Sequence, residues 1–420
     1  MTSTPEPEPR AGGQGRWLNR GVAGIGSASL LADIGHEIPT ALLPSLLTGT
    51  LGAPAAALGL IEGISDALGG TARLAGGALA DDPSRRRKVA IGGYVGTAAL
   101  SALTGAATAV WQVGVLRAAA WTARGLRVPA RNALLADVVA PSAYGRAYGF
   151  ERTMDNLGAV FGPLLALALV AAFGVRTAIG LCVIPGALAA VAIVYAIRNT
   201  TLPSRRDRVP LRIHIRPVLT GDLGRLMSGI GAFEVGNVAA TLLILRASSQ
   251  LDAIHSTTAA TTLALALYTL YNLAATIASL PAGRLADRLG PRGPLVVLAG
   301  GTAVFVLAYL GFAASSTDLV ALGLPFIAAG IAIGCVETAQ HSAVAALAPA
   351  NLRGSAFGLL ATVQAFGNFV ASAVAGILWT ALSPQVAFMY LAAWMLVALG
   401  VLATTLLRRT PTGPQEDADH

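Results

Sequence analysis

Long apolar stretches separated by short polar gaps run through nearly the whole chain. An α-helix needs about 20 residues to cross the hydrocarbon core of a bilayer. Apolar stretches of that length occur at residues 21–49, 54–79, 88–109, 111–138, 145–173, 175–197, 220–246, 257–281, 293–314, 319–347, 353–381 and 385–407. The pattern predicts an all-α polytopic membrane protein with about 12 transmembrane helices in two sets of six.

Composition and charge agree with this interpretation. Of the 420 residues, 55% are hydrophobic and only 12% are charged, whereas soluble domains carry about 25% charged residues. The net charge of +8 comes largely from Lys and Arg in the polar gaps on one side of the predicted spans. This asymmetry predicts that both termini are cytoplasmic. Nucleic acid is therefore not an expected partner.

The predicted spans divide the chain into five parts. Residues 1–19 are rich in Pro, Gly and Glu and lack the apolar core of a signal peptide, so a disordered cytoplasmic N-terminus is expected. Two six-helix bundles are expected at 20–197 and 219–408. The basic segment 198–218 is expected to be a cytoplasmic linker that binds anionic lipid through Arg205, Arg206 and Arg208. Residues 409–420 form the predicted cytoplasmic tail.

Two similar turns lie half a chain apart. Each has a Gly, then Leu-Ala-Asp at fixed spacing, then arginines. The Gly allows a helix to end close to a neighbour, the Asp can accept hydrogen bonds from a helix N-terminus, and the arginines anchor the cytoplasmic face or serve topology alone. The residues expected to act in gating or structure here are Gly77, Asp81, Arg85, Gly283, Asp287 and Arg288.

Further segments repeat between the halves. The segment 33–40 matches 234–241, and 145–149 matches 354–358, each with the same direction through the membrane. The halves are therefore predicted to be parallel repeats, and in such folds the substrate site lies between the halves near the midplane. The two cysteines, Cys182 and Cys335, lie far apart in apolar stretches and do not indicate a disulfide.

With these repeated turns, residues 20–408 resemble the major facilitator superfamily, which implies a transporter with twelve spans that works as a monomer. The fifth span resembles the antiporter signature of proton-coupled efflux members, with Pro163 expected to kink the helix, although small residues at this spacing also suit plain helix packing. Its residues are Gly149, Gly158, Gly162 and Pro163. Segments 59–63 and 124–131, with Gly236 and Asn237, also resemble a poorly characterised bacterial branch of the superfamily.

Ionisable residues within the predicted spans are candidate functional groups, because a charge at bilayer depth is costly. Four acids have no Lys or Arg at mid-depth on their own spans: Glu37 and the three acids Asp33, Glu337 and Glu234. A carboxyl group buried without a cation is protonated more easily than one in water, so these three are the predicted proton-coupling residues. In the superfamily the first, fourth, seventh and tenth spans line the cavity. The predicted substrate-binding residues are His36, Glu37, Arg124, Asn237, Gln340 and His341.

The second, fourth and fifth spans carry acids and arginines in matching numbers, which predicts a structural ion-pair network. Its predicted members are Glu62, Asp66, Arg127, Arg131, Glu151 and Asp155. Two alternatives stay open here: Arg124 and Arg127 can instead hold an anionic substrate, and an acid such as Asp33 can pair with Arg124.

Together these features predict a secondary active transporter that exports a small molecule, coupled to protons, with no cofactor and no catalytic residue. As a transporter, the protein is expected in the plasma (inner) membrane. Proton-coupled nutrient uptake and divalent-metal efflux are the transport alternatives; Asp33, His36 and Glu37, at helical i, i+3 and i+4 spacing, have metal-ligand chemistry. A non-transporting membrane scaffold or enzyme is the alternative of another class. The chain lacks a Gly-Lys-Ser/Thr nucleotide loop, so it does not encode an ATP-driven pump by itself.

Overall fold

The computed structural model describes residues 17–199, 215–314 and 316–407. These residues form helices and turns, with no β-strand among them. The first half contains α1 (Arg20–Pro44), a π-helix (Ser45–Thr50), α2 (Ala55–Ala80), α3 (Pro83–Leu103), α4 (Val110–Asp137), α5 (Tyr144–Leu181) and α6 (Val183–Arg198). The second half contains α7 (Ile215–Val218), α8 (Gly221–Glu234), α9 (Ala240–Leu251), α10 (Thr257–Arg288), α11 (Gly293–Ala313), α12 (Leu319–Leu347), α13 (Arg353–Ala381) and α14 (Pro384–Leu407).

Three predicted segments lie largely or wholly outside the described residues. They are the N-terminus 1–19, the linker 198–218 with its three lipid-binding arginines, and the tail 409–420. Their expected roles stay predictions.

Several helices begin at side-chain caps that the sequence supplies. The Asn19 carboxamide accepts a hydrogen bond from the backbone N–H of Val22 at 2.9 Å and starts α1. The Asp82 carboxylate accepts one from the N–H of Ser84 at 2.8 Å, and Pro83 occupies the first position of α3, where its missing N–H costs nothing. The Asp318 carboxylate caps α12 in the same way.

The predicted span 220–246 is wrong as a single helix. It consists of α8 and α9, and the chain between them, residues 235–239, is not helical. The Tyr309 hydroxyl donates to the Gly236 carbonyl at 3.0 Å and accepts from the Val238 N–H at 3.2 Å. The Ala239 N–H donates to Ser372 Oγ at 2.9 Å. These bonds satisfy backbone groups that the break releases, so the interruption is stable inside the protein.

A second interruption lies in α5. Gly174 has φ 77° and ψ 167°, outside the helical region, and glycine tolerates this conformation because it has no Cβ. Helical dihedrals are therefore interrupted at Gly174 and not at Pro163, where the sequence predicts the kink.

Seven stretches of the described chain are long and apolar enough to cross a membrane. They are Pro83–Ala106, Pro141–Arg198, Ala259–Arg288, Gly290–Ala313, Leu319–Leu347, Arg353–Ala381 and Pro384–Thr405. The predicted spans on α1, α2, α4 and α8–α9 are helical but fall outside this set. The spans on α1, α2 and α4 carry many of the ionisable residues, which lowers their hydropathy. Helices α8 and α9 are each too short to cross a membrane alone.

Each half packs around its own helix pairs. In the first half α1 packs against α5 and α6, and α2 and α3 pack against α4; in the second, α10 and α11 pack against α12. The halves meet along two main contacts, α5 with α10 and α2 with α13. Both contacts include one of the repeated glycine–aspartate turns, so these turns lie where the two halves join.

Candidate functional site between the two halves

The second repeated turn joins α10 to the beginning of α5. The Asp287 carboxylate accepts hydrogen bonds from the backbone N–H of Gly145 at 2.7 Å and of Arg146 at 3.0 Å. Arg146 Nε also donates to Asp287 Oδ2 at 2.7 Å. A side chain on Gly283 would collide with the carbonyl of Gly145, so only glycine permits this approach. The predicted contact between Asp and a helix N-terminus is confirmed.

The first turn makes the corresponding contact at the beginning of α13. The Asp81 carboxylate accepts a hydrogen bond from the Ser355 N–H at 2.8 Å and another from the Ser355 hydroxyl. An added Cβ on Gly77 would lie 2.6 Å from the Gly354 carbonyl oxygen. We call the two contacts, Asp81 with Ser355 and Asp287 with Gly145 and Arg146, the aspartate latches. Each links one half to the other.

The arginines that follow the turns take little part in these latches. Arg85 Nε lies 3.5 Å from Asp82 Oδ2 on its own turn, and its side chain is 35% exposed. Arg288 is exposed. Both are consistent with the alternative that these arginines serve topology alone.

A third link between the halves was missed by the sequence predictions. The Asp137 carboxylate, at the end of α4, pairs with Arg86 in its own half and with Arg353 Nη1 of the other half at 3.3 Å. Arg353 Nη2 also donates to the Tyr144 hydroxyl at 2.9 Å. Arg353 directly precedes Gly354, the residue that aligns with Gly145. This position in the repeat was the sequence feature that could have indicated a link between the halves.

Deeper between the halves lies a cluster of five charged residues, which we call the interface cluster: Arg131, Glu151, Arg152, Asp155 and Glu337. Glu151 is fully buried. Its carboxylate forms ion pairs with Arg131 Nη1 at 2.9 Å and with Arg152 Nε at 2.8 Å. The Ser29 hydroxyl donates to Glu151 as well, at 2.7 Å. The predicted pairing of Arg131 with Glu151 and Asp155 is confirmed.

Arg152 connects this cluster to the second half. Its Nη1 atom lies 3.1 Å from Asp155 Oδ2 on the same helix and 3.6 Å from Glu337 Oε2 on α12. The Glu337 side chain is 29% exposed, so it stays accessible to a proton or a substrate. The expectation that Glu337 has no cationic partner is wrong, because Arg152 reaches it from the fifth predicted span.

Asp33 likewise has a partner. Arg124 Nη2 on α4 lies 3.0 Å from Asp33 Oδ1 on α1. This is the pairing that the sequence left open, and the expectation of an unpaired Asp33 is wrong. Arg124 also lies over the ring of Trp121, with its Cζ 5.1 Å from the centroid. The predicted substrate-binding role of Arg124 stays a prediction.

Glu234 differs from the other two predicted proton carriers. It is 3% exposed, and in the described part of the chain no Lys, Arg or His lies within 4.0 Å of its carboxylate. Its oxygens accept hydrogen bonds from Gln340 Nε2 at 2.8 Å and Asn237 Nδ2 at 3.0 Å. Gln364 Nε2 donates to Gln340 Oε1 at 2.7 Å, which extends the chain of amides. Asn237 and Gln340 therefore hold Glu234.

Both predicted substrate-binding histidines are buried. The His36 ring packs edge-on against Trp121, with centroids 4.5 Å apart. His341 lies among Tyr148 and Phe357, and its Nδ1 donates to the Glu337 carbonyl at 2.7 Å. In the described residues no three His, Cys, Asp or Glu side chains converge as metal ligands.

Two predicted members of the ion-pair network are not in it. Asp66 is exposed on α2, and no cation lies within 4.0 Å of it in the described chain. Arg127 is 4% exposed and pairs with no described carboxylate; its guanidinium Cζ instead lies 4.2 Å from the Tyr94 ring centroid. Glu62 does pair, with Arg117 Nε at 3.0 Å.

The glycines of α5 bring the acids of α1 close. An added Cβ on Gly158 would lie 2.6 Å from Asp33 Cβ, and one on Gly162 would collide with Glu37. The second half repeats the arrangement, because a Cβ on Gly367 would collide with Glu234. The predicted close packing is confirmed, and in both halves a small residue faces a predicted functional carboxylate.

Comparison with known proteins identifies the family to which the sequence is similar. The sequence model of the Major Facilitator Superfamily matches residues 25–245 and 226–420. The chain is 27% identical over 379 residues to an uncharacterized MFS-type transporter of Methanocaldococcus jannaschii, covering 89% of this chain and 92% of that one.

Solved structures share the fold. A bacterial homologue of the iron transporter ferroportin in its outward-facing state superposes with a TM-score of 0.71 at 17% identity, covering 93% of this chain and 99% of that chain. The human organic anion transporter MFSD10 superposes with a TM-score of 0.70, also at 17% identity, covering 91% and 99%. At this identity the likeness extends to the fold alone.

Proposed function

Because the chain belongs to the major facilitator superfamily, we propose that it is a secondary active transporter that exports a small molecule in exchange for protons by alternating access. The family consists of transporters and not enzymes. The observation that carries the proposal is the ion pair between Arg152 and Glu337, which joins the two halves within the interface cluster.

In this proposal the helices form twelve spans. Helices α1–α6 make the bundle 20–197, and α8 with α9, followed by α10–α14, make the bundle 219–408. The spans with low hydropathy are compatible with a bilayer because they pair their charges inside the protein, as Glu62 does with Arg117 and Asp33 with Arg124. The distribution of Lys and Arg puts both termini in the cytoplasm, and the protein acts as a monomer in the plasma (inner) membrane.

With that orientation, the aspartate latches and the Asp137–Arg353 pair lie at the cytoplasmic ends of the helices. All three are made between the halves, so the cytoplasmic side is closed. Substrate and protons then have access from the outside. These three contacts are polar; the buried rings of Tyr148 and Phe357, with centroids 5.8 Å apart, also meet between the halves and must separate when the cytoplasmic side opens.

Proton coupling follows from what protonation does to Glu337. A proton bound at Oε2 removes the negative charge that Arg152 Nη1 faces, and the attraction between the halves weakens. The cytoplasmic side can then open and release the proton inside. An ionised Glu337 restores the pair once substrate has bound, and the return carries substrate outward. Glu234, which is buried without a cation, is the second proton site. Asp33 is the third, and when its carboxylate binds a proton it loses its ion pair with Arg124.

The acids that remain without ion pairs favour a cationic or amphipathic substrate. Glu37 is half-buried and Asp66 is exposed, and no described cation lies within 4.0 Å of either. Tyr268 and Tyr271, stacked with centroids 5.6 Å apart on α10, offer aromatic faces to a cation. The spacing of Gly149, Gly158 and Gly162 resembles that of proton-coupled exporters and favours export over uptake.

The test is proton movement in proteoliposomes with a pH dye inside. Tetraphenylphosphonium, Mn²⁺ and glucose, added outside, represent organic cations, divalent metals and neutral metabolites. We expect the organic cation to make the lumen more alkaline, because an exchanger carries protons out as substrate enters. Glu337→Gln should abolish the response, and Asp252→Asn, which changes an exposed carboxylate at the end of α9, should retain it.

Three results would overturn parts of the proposal. Acidification of the lumen would show symport. A response to Mn²⁺ alone would favour the metal alternative. A full response in Glu337→Gln would remove the proton role of that residue.

A further inference from the structure

Arg127 is a buried arginine that forms no ion pair with a described acid; Asp33 is close enough to attract its charge but is already paired with Arg124. Of the four arginines on α4, three pair with carboxylates: Arg117 with Glu62, Arg124 with Asp33 and Arg131 with Glu151. Arg127 is 4% exposed, and its Nε atom is buried without a hydrogen-bond partner. The Tyr94 ring, 4.2 Å from Cζ, offers a cation–π contact, which does not replace a counter-charge.

Arg127 lines a small cavity within the first half. The lining residues come from α1, α3, α4 and the beginning of α6, so the cavity lies apart from the interface between the halves. Its polar lining residues are His36, Tyr94, Thr97, Ser101 and Arg127. None of the described residues that line it carries a carboxyl group. The space suits about one water-sized occupant.

A second polar group at this cavity is also without a partner. Tyr94 is only 1% exposed, and its buried hydroxyl makes no hydrogen bond to any residue that the structure describes. Buried hydroxyl and guanidinium groups normally have partners. The cavity thus combines a positive charge that is only partly balanced with an unused O–H donor and further hydroxyls. A cation would be repelled by the Arg127 guanidinium in this lining, and a carboxylate-bearing substrate is too large for the space.

We propose that this cavity binds one small monovalent inorganic anion of the size of chloride, with Arg127 as its counter-charge and the Tyr94 hydroxyl as a donor. A water molecule would satisfy the donors but would leave the arginine charge only partly balanced. The anion neutralises the polar core between α3 and α4 and stabilises the first half. The proposal rests on these contacts within the first half and not on the transport cycle proposed above.

The test measures thermal unfolding of the purified full-length protein in detergent. Sodium chloride replaces sodium gluconate at constant ionic strength, so only the identity of the anion changes. We expect a saturable rise in Tm for the wild type with chloride and with bromide. Tyr94→Phe removes one hydroxyl and should raise the chloride concentration at half-effect about tenfold. Arg127→Gln should abolish the effect.

Arg176→Gln is the matched control. The Arg176 guanidinium donates to the Gly105 and Ala107 carbonyls, away from the cavity, so its loss should lower Tm without altering the response to chloride. If Arg127→Gln does not fold, Tyr94→Phe and anomalous scattering from bromide-soaked crystals decide the question. Bromide density beside Arg127 is expected. Equal Tm in chloride and gluconate, an unchanged response in Tyr94→Phe, or a water in place of bromide would each overturn the proposal.

Discussion

Arg152 Nη1 on α5 lies 3.6 Å from Glu337 Oε2 on α12, and this ion pair joins the two halves of the protein. Arg152 also binds Glu151 and Asp155 on its own helix, at 2.8 and 3.1 Å. When the halves separate, Arg152 therefore keeps two carboxylate partners. The pair with Glu337 can therefore break without isolating the buried charge of Arg152, which would be costly. This makes the contact suitable as a reversible link.

The aspartate latches predict how the cytoplasmic side opens. Asp81→Ala removes both hydrogen bonds to Ser355, and each bond to a charged group contributes about 1.5–3 kcal/mol. We expect a maleimide to react at least about tenfold faster with a cysteine at position 356, which is buried beside the latch. The measurement uses a background in which Cys182 and Cys335 are replaced by Ala. Arg85→Gln is the control and should leave the rate unchanged; equal rates in all three proteins would contradict the latch.

The interface cluster predicts unequal costs for two similar substitutions. Glu151→Gln removes the shared carboxylate of Arg131 and Arg152 in a fully buried site and should destabilise the protein by about 3 kcal/mol or more. Glu62→Gln removes a carboxylate whose side chain is 31% exposed, and the buried Arg117 keeps the Thr40 hydroxyl as an acceptor at 3.2 Å, so a smaller loss is expected. Scanning fluorimetry in detergent would compare their Tm values. A drop for Glu62→Gln as large as that for Glu151→Gln would contradict the ranking.

The helix contacts beside the functional acids predict sensitivity to a single methyl group. Gly158→Ala and Gly367→Ala would force α5 away from Asp33 and α13 away from Glu234, at about 1–3 kcal/mol each. Gly376→Ala adds the same methyl on α13, where no atom of another helix or side chain lies within 4 Å, and should be neutral or slightly stabilising. The comparison again uses Tm. If all three variants unfold alike, the close approach is not important for stability.

Glu234 and Asp33 should respond differently to neutralisation. Glu234→Gln leaves no described cation unpaired, so stability should change little, whereas proton movement in proteoliposomes should fall. Asp33→Asn strips Arg124 of its carboxylate and should lower both Tm and proton movement. Measuring both quantities for each variant separates the roles. A Tm loss in Glu234→Gln as large as that in Asp33→Asn would show that Glu234 is structural.

Much of the architecture could be predicted from the sequence because its signals are local. Apolar length places the helices, and the fixed spacing of Gly and Asp places both latches. The break between α8 and α9 could not be predicted, because Val235 and Val238 continue the apolar pattern, and the groups that stabilise the break, Tyr309 and Ser372, come from distant helices. Local periodicity contains no information about such partners.

Ion pairing was harder to predict, since it depends on which helices face one another. Arg117, Arg124 and Arg131 recur every seven residues and form one stripe on α4, and all three pair with acids. Arg127 lies off this stripe and faces Tyr94 on α3 instead. The seven-residue spacing therefore separates the three paired arginines from Arg127. The partner of Glu337 lies on α5, and nothing in the sequence around Glu337 indicates it.

The most direct test of the proposed coupling measures the opening of the cytoplasmic side against pH. Spin labels at Lys88→Cys and Leu289→Cys, both exposed and one in each half, report the separation by double electron–electron resonance in lipid nanodiscs. The background again has Cys182 and Cys335 replaced by Ala. Acid protonates Glu337 and weakens its pair with Arg152, so the wild type should shift to longer distances as the pH falls from 8 to 5.5. Glu337→Gln should show the longer distances throughout; a wild type that does not respond to pH, or a Glu337→Gln variant that responds as the wild type does, would contradict the account.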